Sequence, residues 1–252
     1  MKASILSRAA LAGFLLLFRT PLAWGRSIVP ASRMAMPWTG PGGAGGSIPW
    51  NIVVLLTLLT LLPALLLAMT PFARLLVVFH FLRQALGTQT TPSNQTLIGL
   101  ALILTLFLMQ PVIAAVEQQA IVPFEQGRVD AMQAVQLGAA PLEQFMLRFA
   151  REKDLALFLE LAKDPRPARP QDLAMRVVMP AYMLSELKAG FQIGAALYLP
   201  FLVVDMVVAA ITTSVGMLQL PPVVISTPLK ILLFVMVDGW NLLVGSLLKS
   251  FA

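Results

Sequence analysis

Four long apolar stretches lie along this sequence, near residues 52–69, 97–116, 191–215 and 222–247. A helix rises about 1.5 Å per residue, so about 20 residues cross a hydrocarbon core of about 30 Å. Each stretch is therefore long enough to span a membrane, the first one only just. Charged residues make up only 12% of the chain, whereas soluble domains carry about a quarter. The sequence predicts an integral membrane protein made of helices.

Three charged residues lie near the middles of the last two apolar stretches: Asp205, Lys230 and Asp238. An ionised side chain in hydrocarbon costs several kcal/mol, so it persists only with a partner or in a polar cavity. If the two stretches form an antiparallel hairpin that turns near residue 217 or 218, Asp205 and Lys230 lie at the same depth. We predict that they form an ion pair or a subunit contact. Proton handling by Asp205 is the alternative.

Three other charges have no clear partner in this hairpin. Lys230 precedes Asp238 by eight residues, which is about 12 Å along a helix and too far for contact. We expect Asp238 to face another subunit, a helix N-terminus or the backbone beside Gly239. Glu186 and Lys188 stand just before the third stretch and, two residues apart, point to different faces of a helix. They are predicted to be boundary charges or interface residues.

Residues 1–25 have the pattern of a cleaved signal peptide. Lys2 and Arg8 form a positive start, a short apolar core follows, and residues 23–25 include two small side chains at the cleavage spacing. The core has about ten apolar residues, whereas a membrane span needs about 20. Residues 26–48 are rich in glycine and are predicted to form a flexible linker.

The apolar stretches predict two membrane-inserting hairpins, residues 49–116 and 189–252, on either side of a helical region at 117–188. The segment between the first two stretches contains Arg74 and Arg83 and no acid, which places it in the cytoplasm by the positive-inside rule. A cleaved signal peptide puts the mature N-terminus on the opposite side of the membrane, which agrees with a cytoplasmic location of this segment. Counting along the chain makes residues 117–188 extracytoplasmic, and apolar residues recur there at helical intervals.

Several classes of site have no support in the sequence. The chain has no cysteine, which excludes thiolate metal sites, and a single histidine, His80. No histidine and acid accompany the serines and threonines at nucleophile–base spacing, and no glycine-rich phosphate loop follows a strand. No stripe of interleaved basic and aromatic residues indicates nucleic-acid binding. We therefore expect no catalytic activity, no cofactor, no metal site and no nucleic-acid partner.

The turn between the last two stretches, residues 216–222, has an unusual composition. It begins at Gly216 and ends with Pro221 and Pro222, whose rings cannot continue a helical hydrogen-bond ladder. Between them lie Met217, Leu218, Gln219 and Leu220. Methionine fills irregular gaps, so a ring of such turns from several subunits could seal a pore around varied cargo. On physical grounds alone, an ordinary hydrophobic turn is the alternative.

Three groups of motifs carry a resemblance to a known family. The first is Arg-Gln-Ala-Leu-Gly-Thr-Gln at 83–89, followed by Pro-Ser-Asn-Gln at 92–95. The second is Phe-Gln-Ile-Gly at 191–194, followed by Leu-Pro-Phe-Leu-Val-Val-Asp-Met-Val at 199–207. The third is Pro-Leu-Lys at 228–230 and Val-Asp-Gly-Trp-Asn-Leu-Leu-Val-Gly-Ser-Leu at 237–247. Over about residues 49–251, the chain resembles the FliP/SctR family of type III secretion export-gate subunits.

The resemblance implies a homo-oligomer assembled with FliQ-like and FliR-like subunits. Together they form a gate through which unfolded flagellar rod, hook and filament subunits leave the cell. FlhA-like and FlhB-like proteins are implied for energy coupling and substrate switching. The implied location is the bacterial inner membrane at the flagellar basal body, with much of the assembled helical spiral on the periplasmic side.

The resemblance also assigns a role to the turn at 216–222, which corresponds to the methionine-rich gasket loop that closes the pore in this family. Only Met217 is a methionine here. The resemblance therefore implies a sealing role for this turn by its position, but not a seal that depends on methionine.

The sequence thus predicts an all-α membrane protein: two helical hairpins plus an extracytoplasmic helical region, assembling into a helical oligomeric export gate. The signal peptide favours the flagellar branch over the virulence type III secretion branch. A secondary transporter of a small solute is the alternative from another class, but it predicts inverted repeats, and the two hairpins show no convincing repeat. A membrane scaffold without a pore would leave the diproline turn unused.

Overall fold

The computed structural model describes residues 50–88, 90–163, 169, 172–216 and 221–251. The regular structure of these residues is helical throughout, which confirms the all-α fold class. The helices are α1 (Trp50–Ala68), α2 (Phe72–Ala85), α3 (Asn94–Val116), α4 (Val122–Glu125), α5 (Ala131–Phe149), α6 (Glu152–Ala162), α7 (Met175–Ser214), α8 (Pro222–Met236) and α9 (Gly239–Lys249). A π-helical turn, Glu117–Ile121, joins α3 to α4. The expected signal peptide at 1–25 and linker at 26–48 lie outside the described residues.

Two helical runs are each long and apolar enough to cross a membrane. One is the continuous run Asn94–Glu125, formed by α3, the π turn and α4, and the other is the 40-residue α7. Two bent pairs meet the same criterion when each pair counts as one span: α1 with α2, which meet at 69°, and α8 with α9, which meet at 65°. The first bend follows Pro71, which has no N–H to continue the ladder of α1. The described part of the chain therefore has the helices of a membrane protein.

Helix α2 contributes most to the larger of two hydrophobic cores. Its buried residues Leu75, Val78, Phe79 and Leu82 recur at three- and four-residue spacing, so they line one helix face. The same core cluster includes buried residues from α3, α7, α8 and α9. The short α2 therefore holds the two predicted hairpins together.

The second core joins α5 and α6 to the first turns of α7. Its buried members include Met146 of α5 and Val177 and Tyr182 of α7. Helix α5 starts at a capping box, in which the backbone N–H of Gln133 donates to Asp130 Oδ1 at 2.7 Å and the N–H of Asp130 donates to Gln133 Oε1 at 3.2 Å. The predicted boundary between the extracytoplasmic region and the second hairpin, after residue 188, falls inside α7, which is continuous. Where α7 enters the membrane stays a prediction.

Large apolar faces remain uncovered within the chain. The side chains of α1 are exposed nearly all round, including Trp50 and Leu59, and α3 exposes Ile103 and Phe107. Soluble monomers rarely expose contiguous apolar patches of more than a few hundred Å². These faces are therefore suited to contact lipid or other subunits.

The crossing of α2 and α7 depends on two glycines four residues apart, Gly190 and Gly194. A Cβ at Gly190 would lie 3.1 Å from Val77 Cβ, and one at Gly194 would lie 2.5 Å from the ring of Phe81. Such small residues let two membrane helices approach closely. The packing therefore has no room for a methyl group at Gly194.

We expect Gly194→Ala to destabilise the protein by about 1–3 kcal/mol because the Phe81 ring must move. Thermal unfolding of the purified protein in detergent measures this loss. Gly99→Ala is the matched control, since no atom lies within 4 Å of a Cβ at that position of α3. The control should be neutral or slightly stabilising, because alanine favours helices over glycine. Equal effects of the two changes would contradict the close packing.

Candidate functional site

The structure brings Asp205 of α7 and Lys230 of α8 together. Lys230 Nζ donates to Asp205 Oδ2 at 2.5 Å, and Ser226 Oγ donates to Asp205 Oδ1 at 2.6 Å. The Lys230 side chain is 3% exposed and that of Asp205 is 29% exposed. Both carboxylate oxygens are thus satisfied, as a charge in an apolar helix requires. Ser226, one turn before Lys230, was not anticipated from the sequence.

The same hairpin register extends beyond the ion pair. Phe201 of α7 and Phe234 of α8 lie four residues further from the turn, and their ring centroids are 6.4 Å apart. Pro222 occupies the first turn of α8, where its missing N–H breaks no hydrogen bond. The diproline therefore starts α8 at a fixed position.

The loop after α2 reaches this ion pair through Gly87. This glycine has a φ of +74°, and a Cβ placed on it would lie 2.7 Å from Thr227 Oγ1 and 3.9 Å from Lys230 Nζ. Only glycine combines a left-handed backbone with so close an approach. The motif at 83–89 therefore positions the turn of the first hairpin against the charged site of the second.

A second ion pair lies between α2 and α7. Arg74 Nη2 donates to Glu186 Oε1, and their side chains are 8% and 0% exposed. Arg74 Nη1 also donates to Ser250 Oγ at 3.1 Å, and its guanidinium carbon lies 3.9 Å from the centre of the Phe251 ring. The end of the chain is thereby held against α2 and α7.

This second pair is incompletely satisfied by protein atoms. Within the described residues, Arg74 Nε, Glu186 Oε2 and Tyr182 Oη are buried and have no hydrogen-bond partner. Each buried polar atom without a partner costs about 1–3 kcal/mol. Removal of one charge from this cluster should therefore lower the stability of the fold strongly.

A third polar cluster joins α6 to α7 around Asp154. Lys188 Nζ donates to Asp154 Oδ1, and Ser185 Oγ donates to Asp154 Oδ2 at 2.8 Å while accepting the Arg151 backbone N–H at 2.9 Å. Burial alone would raise the pKa of Asp154, but the hydrogen bonds from Lys188 and Ser185 and the charge of Lys188 outweigh it, so the pKa lies below its usual value. Lys188 thus pairs with Asp154 and not with Glu186.

The lowered pKa predicts a pH-dependent stability. A carboxylate whose pKa is lower in the folded than in the unfolded state stabilises the protein fully at a pH above its unfolded-state pKa of about 3.9. This stabilisation is lost as the pH falls through the folded-state pKa. We expect Asp154→Asn to cost about 1.5–3 kcal/mol at pH 7. The difference in the free energy of unfolding between this variant and the natural protein should become smaller towards about pH 3.

Thermal unfolding in detergent at both pH values measures this difference. Asp130→Asn is the control, because Asp130 is an exposed N-cap and asparagine caps equally well. A difference for Asp154→Asn that is as large at about pH 3 as at pH 7 would show that its charge does not stabilise the fold.

Asp238 takes one of the three environments considered for it, a helix N-terminus. It is the N-cap of α9, has a φ of 52°, and its Oδ2 accepts from Asn241 Nδ2 at 3.1 Å. Within the described residues, no lysine or arginine forms an ion pair with it. Asp238 thus lies at the N-terminal end of α9, where the helix dipole is positive, although its side chain makes no capping hydrogen bond.

The four central residues of the turn at 216–222, Met217 to Leu220, lie outside the described residues. Their flanks are described: Gly216 follows α7 with a φ of +81°, and Pro221 precedes α8. The sealing role of the turn therefore stays a prediction.

The described residues contain no group of three or more His, Cys, Asp or Glu side chains that could hold a metal ion. His80 Nδ1 lies 2.8 Å from the backbone oxygen of Leu76, on the preceding turn of α2. The histidine is half-buried among helices, which favours a packing role.

Sequence reasoning also missed two ion-pair partners, Arg74 and Asp154. Arg74 was counted as a cation of the loop between the first two stretches, whereas it is a buried residue of α2. Arg83 is therefore the cation that supports a cytoplasmic location of that loop. A signal existed, because Arg74 stands within an apolar segment, as Lys230 does.

Comparisons with known proteins agree with the motifs. A sequence model of the FliP family matches residues 55–247. A flagellar biosynthetic protein FliP from Pectobacterium carotovorum subsp. carotovorum is 47% identical over 236 residues, which cover 94% of this chain and 90% of that protein. The protein of the same name from Bacillus subtilis (strain 168) is 46% identical over 201 residues, 80% of this chain and 91% of its own length. One from Caulobacter vibrioides is 42% identical over 229 residues, 89% of this chain and 86% of that protein.

Proposed function

Because this chain belongs to the FliP family, we propose that it forms the pore-lining core of the flagellar export gate. Family membership makes it a component of the flagellar export apparatus, and its apolar helices make it a membrane-embedded one. The further steps, from subunit to pore, are our inference. The substrate class is unfolded flagellar subunits in transit.

One observation carries the proposal: the second hairpin is fixed by the charged site between its two helices. The Lys230–Asp205 bond and the Ser226–Asp205 bond hold α7 against α8. A hairpin fixed in this way presents its turn at a defined position in every subunit. A ring of identical turns can then form one narrow apolar constriction.

The proposed mechanism is passive. Met217, Leu218 and Leu220 form the seal, with Gln219 between them, and the apolar ring holds ions back until a cargo chain is engaged. Pro221 and Pro222 restrict the backbone where the turn joins α8. The protein supplies a barrier that yields to cargo and no catalytic group.

An oligomer supports this mechanism better than a single chain. The uncovered faces of α1 and α3 offer large apolar areas to other subunits, and Asp238 has only Asn241 as a described side-chain partner. We propose contacts with further copies of this chain and with FliQ-like and FliR-like subunits, and association with FlhA-like and FlhB-like proteins. The gate lies at the inner membrane in the flagellar basal body, with much of it on the periplasmic side.

The seal is tested by replacing Met217, Leu218 and Leu220 together with alanine. We expect a raised ion leak across membranes that contain the assembled gate, because the constriction loses apolar side chains. The matched control replaces three exposed leucines outside α1 and α3 with alanine, Leu137, Leu157 and Leu161. Unchanged conductance in the turn variant, with normal assembly, would remove the seal from the proposal.

The oligomer is tested by native mass spectrometry in mild detergent after expression with the candidate partners. We expect a discrete ring-sized complex that carries partner subunits. A stable monomer in the presence of the partners would contradict the gate and favour a solute transporter.

A further inference from the structure

A cavity of about 330 Å³ lies between α3 and α5. Leu108, Val112 and Ala115 line it from α3, and Gln144, Phe145 and Arg148 line it from α5. The ring of Phe251, near the end of the chain, also borders it. We propose that this cavity binds an anionic phospholipid, with an acyl chain along α3 and the headgroup at Arg148.

The cavity lies towards one end of a candidate membrane span. Its α3 wall belongs to the candidate span Asn94–Glu125. At the usual helical rise, Leu108 and Ala115 lie about 21 Å and about 32 Å from the Asn94 end of that span. A hydrocarbon core that began at Asn94 would end about 30 Å along the helix, near Ala115.

The lining changes from apolar to cationic across the cavity. The α3 side offers apolar side chains alone, whereas the α5 side adds the Gln144 amide and the Arg148 guanidinium. Both polar side chains are exposed. An acyl chain fits the first wall and a phosphate fits the second, since arginine binds phosphate oxygens in a bidentate manner.

Arg148 is free to bind an anion. Its guanidinium carbon lies over the Phe149 ring, 5.4 Å from the centroid, and it forms no ion pair with a carboxylate of the described residues. Glu143, on the same helix, is five residues away and therefore points to another face. The local charge at the mouth of the cavity is positive.

The volume of the cavity suits a part of a lipid, a segment of one acyl chain beside the headgroup, better than a docked helix. Clefts of about 300–1,000 Å³ are typical of small-molecule sites, whereas a docked helix needs a groove about 10 Å wide along several turns. A cationic side chain beside a membrane surface attracts anionic lipid headgroups. A second cavity, of about 430 Å³ near the π turn, is lined by apolar residues such as Ala120 and Ala134 and has no cation to hold a headgroup.

The test is native mass spectrometry of the full chain in mild detergent, with phosphatidylglycerol or phosphatidylcholine of the same acyl chains added separately. We expect the natural protein to retain phosphatidylglycerol preferentially. Arg148→Gln should lower this preference about fivefold, the factor for one cation near an anionic surface. Arg148→Lys should keep the part of the preference that depends on charge and lose the part that depends on bidentate binding. Arg128→Gln, at an exposed arginine outside the cavity, should leave the preference unchanged.

Filling the cavity gives an independent readout. Ala115→Phe should abolish the retained lipid, whereas Ala134→Phe, which fills the other cavity, should not. Equal retention of the two lipids by the natural protein would overturn the proposal, as would an unchanged preference in Arg148→Gln. Displacement of the lipid by a second copy or by a partner subunit, with that subunit crosslinked at residue 148, would show that the cavity belongs to a protein interface.

Discussion

Replacement of Arg74 by methionine should be the most destabilising single change in this protein. It leaves the Glu186 carboxylate, whose side chain is 0% exposed, without the guanidinium that pairs with it. Breaking a buried ion pair from one side costs about 3–5 kcal/mol because an uncompensated charge remains buried. The change also removes the hydrogen bond to Ser250 and the stacking on Phe251.

Thermal unfolding in detergent measures this loss of stability. Two further variants show whether the unpaired charge causes it. The double change Arg74→Met with Glu186→Gln should recover a large part of the stability, since the stranded charge is gone. Arg83→Met is the matched control: it lies on the same helix, and its side chain donates to Asn94 at the surface, where such contacts contribute about 0–1 kcal/mol. A double variant no more stable than Arg74→Met would show that the unpaired charge is not the cause.

The pairing of Asp205 with Lys230 follows from the sequence because it depends on one hairpin alone. When two helices are joined by a short turn, distance from the turn fixes which residues share a depth. The two charges and the two aromatic residues Phe201 and Phe234 all obey that register. Helical class and membrane character follow equally well, from apolar stretches of spanning length.

The partners of Glu186 and Lys188 do not follow from the sequence because they depend on packing between distant elements. Glu186 pairs with a residue 112 positions away, and Lys188 with one 34 positions away. These pairs form only once α2 and α6 have packed on α7, and no turn fixes their register. The glycines at 190 and 194 indicate that a helix packs closely there, but not which helix.

Helix limits were also beyond the sequence reasoning. The third apolar stretch begins near residue 191, whereas α7 starts at Met175 and continues through Glu186 and Lys188. A helix does not end where its environment changes, because its backbone hydrogen bonds are satisfied in water and in lipid alike. Hydropathy marks the environment and not the ends of the helix: α7 starts without a side-chain cap and continues through Pro180 and Pro200.

Replacement of Lys230 by methionine is the second change with a large expected effect. It leaves Asp205 with Ser226 as its remaining described partner. The expected cost is about 2–4 kcal/mol, less than for Arg74, because Asp205 keeps some access to its surroundings. The damage should extend to the first hairpin, since Gly87 packs beside the lysine ammonium group.

Stability in detergent and protein export in cells are the two measurements. Lys249→Met, at an exposed lysine in the last turn of α9, is the control for loss of a positive charge. The double change Lys230→Met with Asp205→Asn should recover stability if the two groups serve as a pair. It should also recover export if their role is to hold the hairpin. Recovered stability without export would instead indicate that the Asp205 carboxylate itself acts in the gate, by contacting another subunit or by handling protons.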